Sequence, residues 1–255
     1  MTAPRKPSFP ACVGTHSPLA PAAKPAVASA PPQPRGVGLD SVAVRASMVR
    51  RLAQAGISHP QVLDAMGSVP RHLFVDTALV TQAYEDTSLP IGWGQTISKP
   101  TVVARMVQLL LEAPCVQAGG RLARVLEIGT GCGYQAAVLA RVASEVYSME
   151  RLRAMHERAR DRLRPLRLAN VHLILGDGML GYEAGAPYAA IIAAAGGTQL
   201  PSAWREQLAV GGRLVAPVAG AQGQQVLQVV DRTEQGYTQR VLESVHFVPL
   251  KSGVA

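Results

Sequence analysis

Seven consecutive residues constrain this chain more than any others: Glu127-Ile128-Gly129-Thr130-Gly131-Cys132-Gly133. They close a short apolar run, Arg124-Val125-Leu126-Glu127-Ile128, and they precede helical spacing from Gly133 to about Val142. An apolar strand that turns through alternating glycines into a helix is the first half of a βα unit. Glycine accepts positive φ and carries no Cβ, so such a turn can bring backbone close to a ligand. In open α/β sheets ligands bind at the carboxyl ends of the strands, which is where this turn falls.

The rest of the chain repeats the pattern. Glu145–Glu150 reads as a strand, 151–164 as a basic helix and Val171–Leu175 as a strand. Tyr188–Ala194 is a strand, Pro201 opens a helix to about Leu208, and Gly212–Val218 is the next strand. Alternating strands and helices predict a parallel sheet with right-handed crossovers. Two last strands, near Gln224–Val230 and Thr238–Val248, have no helix between them and predict an antiparallel edge. The expected fold is α/β and Rossmann-like: a mostly parallel, doubly wound sheet with an antiparallel edge and an N-terminal helical cap. The cap follows from Val44, Met48, Val49 and Leu52, then Val62, Leu63 and Met66, at helical spacing. The stretch Pro90–Pro100 is punctuated by glycine and reads as a loop, and Pro100 opens a helix with Val103, Met106, Val107, Leu110 and Leu111 on one face.

Residues 1–38 read as a disordered basic tail. They hold nine of the 19 prolines, four basic residues and no acid. Residues 39–255 read as a single domain, with the cap and a substrate loop over 39–112 and the Rossmann-like core over 113–255. At 255 residues, 48% of them hydrophobic and 16% charged, the chain can bury such a core. The tail has no apolar segment of secretory type, and no run of about 18 apolar residues suggests a membrane span. A cytoplasmic, monomeric protein is expected.

The net charge is +8, yet aromatics are 4% and do not interleave with the basic residues, so no nucleic acid is expected as a partner. Three widely spaced cysteines, Cys12, Cys115 and Cys132, suggest neither a disulfide framework nor a zinc site. With no HxxxH pair, no metal is expected.

The ligand class follows from the turn and from three acids at successive strand ends. The spacing is GxGxG, not the GxGxxG of dinucleotide sites, where a helix N-terminus takes the pyrophosphate. S-adenosylmethionine has no phosphate; it has a cationic sulfonium and an amino acid head. Glu127 fits near that positive charge. Glu150 can accept both ribose hydroxyls, as acids do in other Rossmann sites. Asp177 can accept the adenine amino proton, with Gly176 and Gly178 keeping its turn open. Gly129, Thr130, Gly131, Gly133, Glu150, Asp177 and Gly178, with Glu127, are the candidate cofactor residues.

Four blocks resemble the protein-L-isoaspartate O-methyltransferase family. They are Val125-Leu126-Glu127-Ile128-Gly129-Thr130-Gly131-Cys132-Gly133-Tyr134-Gln135, Val69-Pro70-Arg71-x-x-Phe74-Val75, Leu89-Pro90-Ile91-Gly92-x-Gly94-Gln95-Thr96-Ile97-Ser98-x-Pro100 and Phe247-Val248-Pro249-Leu250. The resemblance runs from about residue 40 to the end. It implies a class I methyltransferase that uses S-adenosyl-L-methionine to methylate the free carboxylate of L-isoaspartyl residues in damaged proteins and peptides. The ester then cyclises to a succinimide, which hydrolyses partly to aspartate. It also implies Ser98 as the catalytic residue, with Thr96, Ile97 and Val218 on the substrate. Read from position alone, Ser98 is equally the N-cap of the helix that follows.

The chain departs from the family at three places. Ala189 stands where Pro-Phe-Asp-Ala-Ile-Ile has its acid, and Ala193 or Ala194 where Thr is common. Cys132 replaces a small Ser or Ala, as filler or as a thiol made reactive by a helix N-terminus. Two other functions stay compatible with the residues: a methyltransferase acting on RNA or a small molecule, and a non-catalytic cofactor-binding relative. The Asn/Asp-Pro-Pro-aromatic motif of amino-directed nucleic acid methylases is absent; Ala194-Ala195-Gly196-Gly197 stands there.

Overall fold

The fold is taken from a computed structural model that describes residues 42–116, 120–221 and 223–255. The expected tail, residues 1–38, lies outside them. Two helices, α1 (Val42–Gln54) and α2 (Pro60–Ser68), lead into single 3-10 turns at Arg71–Phe74 and Thr77–Gln82. A two-stranded hairpin follows, β1 (Leu89–Gly92) and β2 (Gln95–Ile97), and then α3 (Pro100–Leu111). The hairpin corrects the expectation of a plain loop over 90–100. Gly92, Trp93 and Gly94 all take positive φ, the twist a tight antiparallel turn demands.

The main sheet contains β3 (Leu122–Ile128), β4 (Ala143–Glu150), β5 (Val171–Leu175), β6 (Tyr188–Ala193), β7 (Leu208–Ala219), β8 (Gln225–Thr233) and β9 (Gly236–Val245). Their order is β5-β4-β3-β6-β7-β8-β9. The first five are mutually parallel, while β8 and β9 run antiparallel as a meander at one edge. The helices between the strands are α4 (Tyr134–Val142), α5 (Arg153–Leu163) and the short α6 (Ser202–Glu206). The chain leaves β9 at Val245, three residues before the expected end, and Phe247–Leu250 turns toward Gly196.

Period-2 burial shows why the central strands are apolar on both sides. Val125, Ala190, Ile192 and Val215 pack with Met48, Leu52, Met66, Leu110 and Val138 of the cap and flanking helices. Leu126, Ile128, Ile191, Ala193 and Leu214 face the other way, against Trp204. The strand order reverses at β3, which pairs with β4 on one side and β6 on the other. A topological switch of this kind opens a crevice at the strands' carboxyl ends. Among the described residues no helix is long and apolar enough to cross a membrane, and no group of three His, Cys, Asp or Glu is placed to hold a metal.

Candidate functional site

The crevice is a cavity of about 380 Å³. One wall is the turn after β3. Gly129 (φ 90°), Gly131 (φ 56°) and Gly133 (φ 90°) alternate with Thr130 and Cys132, so three left-handed residues fold the chain back within five positions. Gly133 is required twice over, because a Cβ there would also meet Leu163 Cδ1 at 2.9 Å. The amides of Gly129 and Thr130 both donate to Met149 O, at 2.9 and 3.0 Å, which ties the turn to the end of β4.

Glu150 is the one acid lining the cavity among the described residues. Its Oε2 accepts from the Gly131 amide and its Oε1 from the Leu152 amide, both at 3.0 Å. A carboxylate held by two backbone donors stays aimed, and each oxygen keeps a lone pair for a ligand.

Glu127 lies behind the turn and does not line the cavity. It is fully buried; Ser148 Oγ lies 2.5 Å from its Oε2 and 2.7 Å from Thr130 Oγ1. Burial pushes its carboxyl up to about 8, against the lowering effect of Ser148 and Gln135. Gln135 is near enough to exert that effect, yet neither its Nε2 nor Glu127 Oε1 completes a hydrogen bond. At neutral pH Glu127 is therefore a neutral, structural acid that backs the turn.

Asp177 is also set back from the cavity, while Gly178 lines it. The oxygens of Asp177 accept from Met179 N at 2.9 Å and Gly253 N at 2.7 Å, so it caps a 3-10 turn and ties down the C-terminal segment. A Cβ at Gly178 would collide with Ile128 Cγ2 at 2.6 Å, which is why that position carries none.

The opposite wall is the hairpin, with Gln95, Thr96, Ile97 and Ser98 lining the cavity. Ser98 is not the helix cap. That position belongs to Lys99, with Pro100 at the first turn, and the free Thr101 amide is met from outside by Asp86 Oδ1 at 2.9 Å. Proline fixes the start one residue later than the serine suggests. Of Ala193 and Ala194, where the family's Thr is common, Ala194 lines the cavity and Ala193 does not; Ala195 lines it beside Ala194, and Val248–Lys251 completes the rim. Val218 does not reach the cavity; it is buried in β7, bridged to Gly197.

Sequence reasoning assigns no role to Arg71, which organises this wall. It is fully buried, and its Nε donates to Ala83 O at 2.8 Å and its Nη2 to Ser98 O at 2.6 Å. The guanidinium stacks 4.7 Å from the centroid of Tyr134, a lining residue, and no carboxylate pairs with it among the described residues. A cation in an apolar stretch, Val69-Pro70-Arg71-His72-Leu73-Phe74-Val75, was the available signal. Cys132 is buried, and burial pushes its thiol up, so it fills the turn and is not an activated nucleophile.

Known proteins resemble this chain in sequence and in fold. The sequence model described as protein-L-isoaspartate(D-aspartate) O-methyltransferase matches residues 43–255. A protein-L-isoaspartate O-methyltransferase of Leptothrix cholodnii is 61% identical over 222 residues, 86% of this chain and 77% of that protein. One of Methylibium petroleiphilum is 57% identical, over 86% of this chain and 81% of its own. A solved protein-L-isoaspartate O-methyltransferase superposes with a TM-score of 0.73 at 26% identity, covering 82% of this chain and 67% of that one. A Plasmodium falciparum structure, in complex with S-adenosyl-L-homocysteine, has a TM-score of 0.68 at 24% identity, with 81% and 98% covered, and shares the fold.

Proposed function

The chain belongs to the protein-L-isoaspartate O-methyltransferase family, and from that premise we propose how its cavity works. It is an S-adenosylmethionine-dependent protein carboxyl methyltransferase that methylates the free carboxylate of L-isoaspartyl residues and so starts their repair. The observation that carries the assignment of residues is that one cavity joins the glycine turn and Glu150 to the Gln95–Ser98 segment.

The residues present fit the cofactor. Glu150 is pre-aimed for a pair of hydroxyls, the glycine wall offers backbone without side chains, and Gln135 Nε2 is a buried donor with no partner among the described residues. We assign cofactor contact to Gly129, Thr130, Gly131, Glu150 and Gly178, which line the cavity; Gly133 does not line it, and serves by packing on Leu163 where the turn enters α4. Glu127 and Asp177 act at one remove, by holding the turn and the C-terminal segment. When bound, S-adenosylmethionine supplies a methyl group on a sulfonium leaving group.

The protein's own task is to receive and orient a carboxylate. That group is ionised at neutral pH, so no general base is required. Catalysis then rests on alignment and on taking the anion partly out of water. Ser98 orients the carboxylate, and Thr96 and Ile97 shape its pocket. Arg71 fixes Ser98 through the Ser98 carbonyl and adds a buried positive charge beside the site. Val218, outside the cavity lining, is proposed to support the substrate wall only through Gly197. Residues 39–255 act as one domain under this proposal, working as a cytoplasmic monomer on isoaspartyl proteins and peptides.

The test is radiolabelled methyl transfer to an isoaspartyl peptide and to its normal aspartyl twin. Transfer to the first alone is expected. Equal transfer to both, or transfer to RNA instead, would reject the assignment.

A further inference from the structure

Trp93 stands at the tip of the β1–β2 hairpin, at the mouth of the cavity. Its φ is +50°, and only one other described residue besides glycine, Arg167, takes a positive φ. Bulky residues rarely adopt this conformation, and where they do it is often at ligand sites. The tip is braced. Arg158 Nη1 donates to Ile91 O at 2.8 Å, and Nη2 to Asp76 Oδ1 at 2.6 Å. The guanidinium packs 5.6 Å from the centroid of the indole. Gly92 leaves room for this, since a Cβ there would meet Arg158 Nη1 at 3.2 Å. Despite the brace, Trp93 is 53% exposed, whereas the chain's other tryptophan, Trp204, is 1% exposed and donates to Gly178 O.

A braced hairpin thus holds a large aromatic surface in water, on the same cavity as Ser98. An aromatic ring gains most by covering apolar surface, and a ring already fixed loses little freedom in doing so. We propose that Trp93 contacts the substrate: its indole packs against an apolar or aromatic side chain beside the isoaspartyl residue and selects peptides that carry one. The proposal rests on the isoaspartyl activity given above.

The test uses isoaspartyl peptides in matched pairs, with Phe or Leu against Gly at each flanking position. The wild type is expected to show lower KM for the apolar member. Trp93→Ala should raise that KM roughly five- to tenfold and the Gly-flanked KM less than about twofold. Trp93→Gly, which suits the left-handed backbone, should fold and show the same selective loss, separating the ring from the strain. Trp93→Phe should recover most of the selectivity. Independently of turnover, an apolar-flanked peptide should shield Trp93 fluorescence from acrylamide, with Trp204 contributing a constant buried background.

An equal KM change across both members of each pair, or no change, overturns the role of Trp93. So does shielding that ignores the flanking residue. If the wild type methylates no isoaspartyl peptide, the assigned activity falls and this role falls with it. Activity with unselective pairs removes Trp93 alone.

Discussion

The glycine turn after β3 and the β1–β2 hairpin face each other across one cavity and use the same device, glycine at positive φ. What holds each in place is different. The turn grows from the central strand of a sheet, with ladder bonds to β4 and β6 on either side and two of its amides on Met149 O. The hairpin pairs only with itself. Arginines reaching from other elements anchor its surroundings: Arg71 to Ser98 O, Arg158 to Ile91 O, Arg162 to Phe74 O and Arg51 to Tyr84 O. Bonds from a charged donor each contribute about 1.5–3 kcal/mol. One wall is therefore set by backbone continuity, and the other by a few long cationic props that can be removed singly.

The sharpest way to break the comparison is Arg71→Met. Losing the Ser98 prop should displace the substrate wall and lower kcat/KM about 10²-fold, since small misplacements cost that much. S-adenosylhomocysteine affinity should fall much less, because Arg71 meets the other wall only through the face of Tyr134. Titration calorimetry beside the kinetics checks both. Arg71→Lys keeps a charge and should fall between the two proteins. Equal losses of cofactor affinity and turnover would mean that the walls are one unit.

Glu150→Gln should do the reverse. It leaves a single acceptor where two amides now donate, and S-adenosylhomocysteine Kd should weaken ~30-fold, with less change in kcat at saturation. Unaltered affinity would remove Glu150 from the cofactor contacts. Ser98→Ala should lower kcat/KM ~tenfold, the worth of one hydrogen bond to a charged group, without moving S-adenosylhomocysteine binding. Wild-type turnover on an isoaspartyl peptide would take Ser98 out of the mechanism.

The same contrast explains what the sequence disclosed. The turn was legible because strand, glycines and helix are contiguous, and because β-strand and helix periods report burial locally. The antiparallel edge of β8 and β9 followed from the missing helix between them. The props were not legible: Arg71 reaches 27 residues along the chain, Arg158 67 and Arg162 88, and no period links such positions. The cap reading of Ser98 fails for a similar reason, because Asp86 meets the first turn from outside and leaves the serine free of that task. Glu127 and Asp177 were correctly placed at strand ends, but position along a strand does not say whether a carboxylate faces a cavity or the packing behind it.

Glu127 offers the subtlest test, because it asks whether the backbone-held wall needs charge at all. Its carboxyl is pushed up to about 8 from an ordinary 4.5 by burial. Below about 4.5 the folded and unfolded states both keep the proton, and Glu127 adds no pH dependence. Between about 4.5 and 8 the unfolded chain releases the proton while the folded one retains it. The folded state then binds more protons, so stability falls as pH rises, by up to ~1.4 kcal/mol per pH unit, and levels off above about 8. Glu127→Gln keeps the shape and a neutral amide, and removes that slope. Urea unfolding at pH 5.5 and 8.5 should show the variant gaining on the wild type by a few kcal/mol at the higher pH. Methyl transfer near pH 7 should change little, because the wild-type acid is already neutral there. Parallel stability curves for the two proteins would instead mean that Glu127 is ionised, and that this wall too leans on a charge.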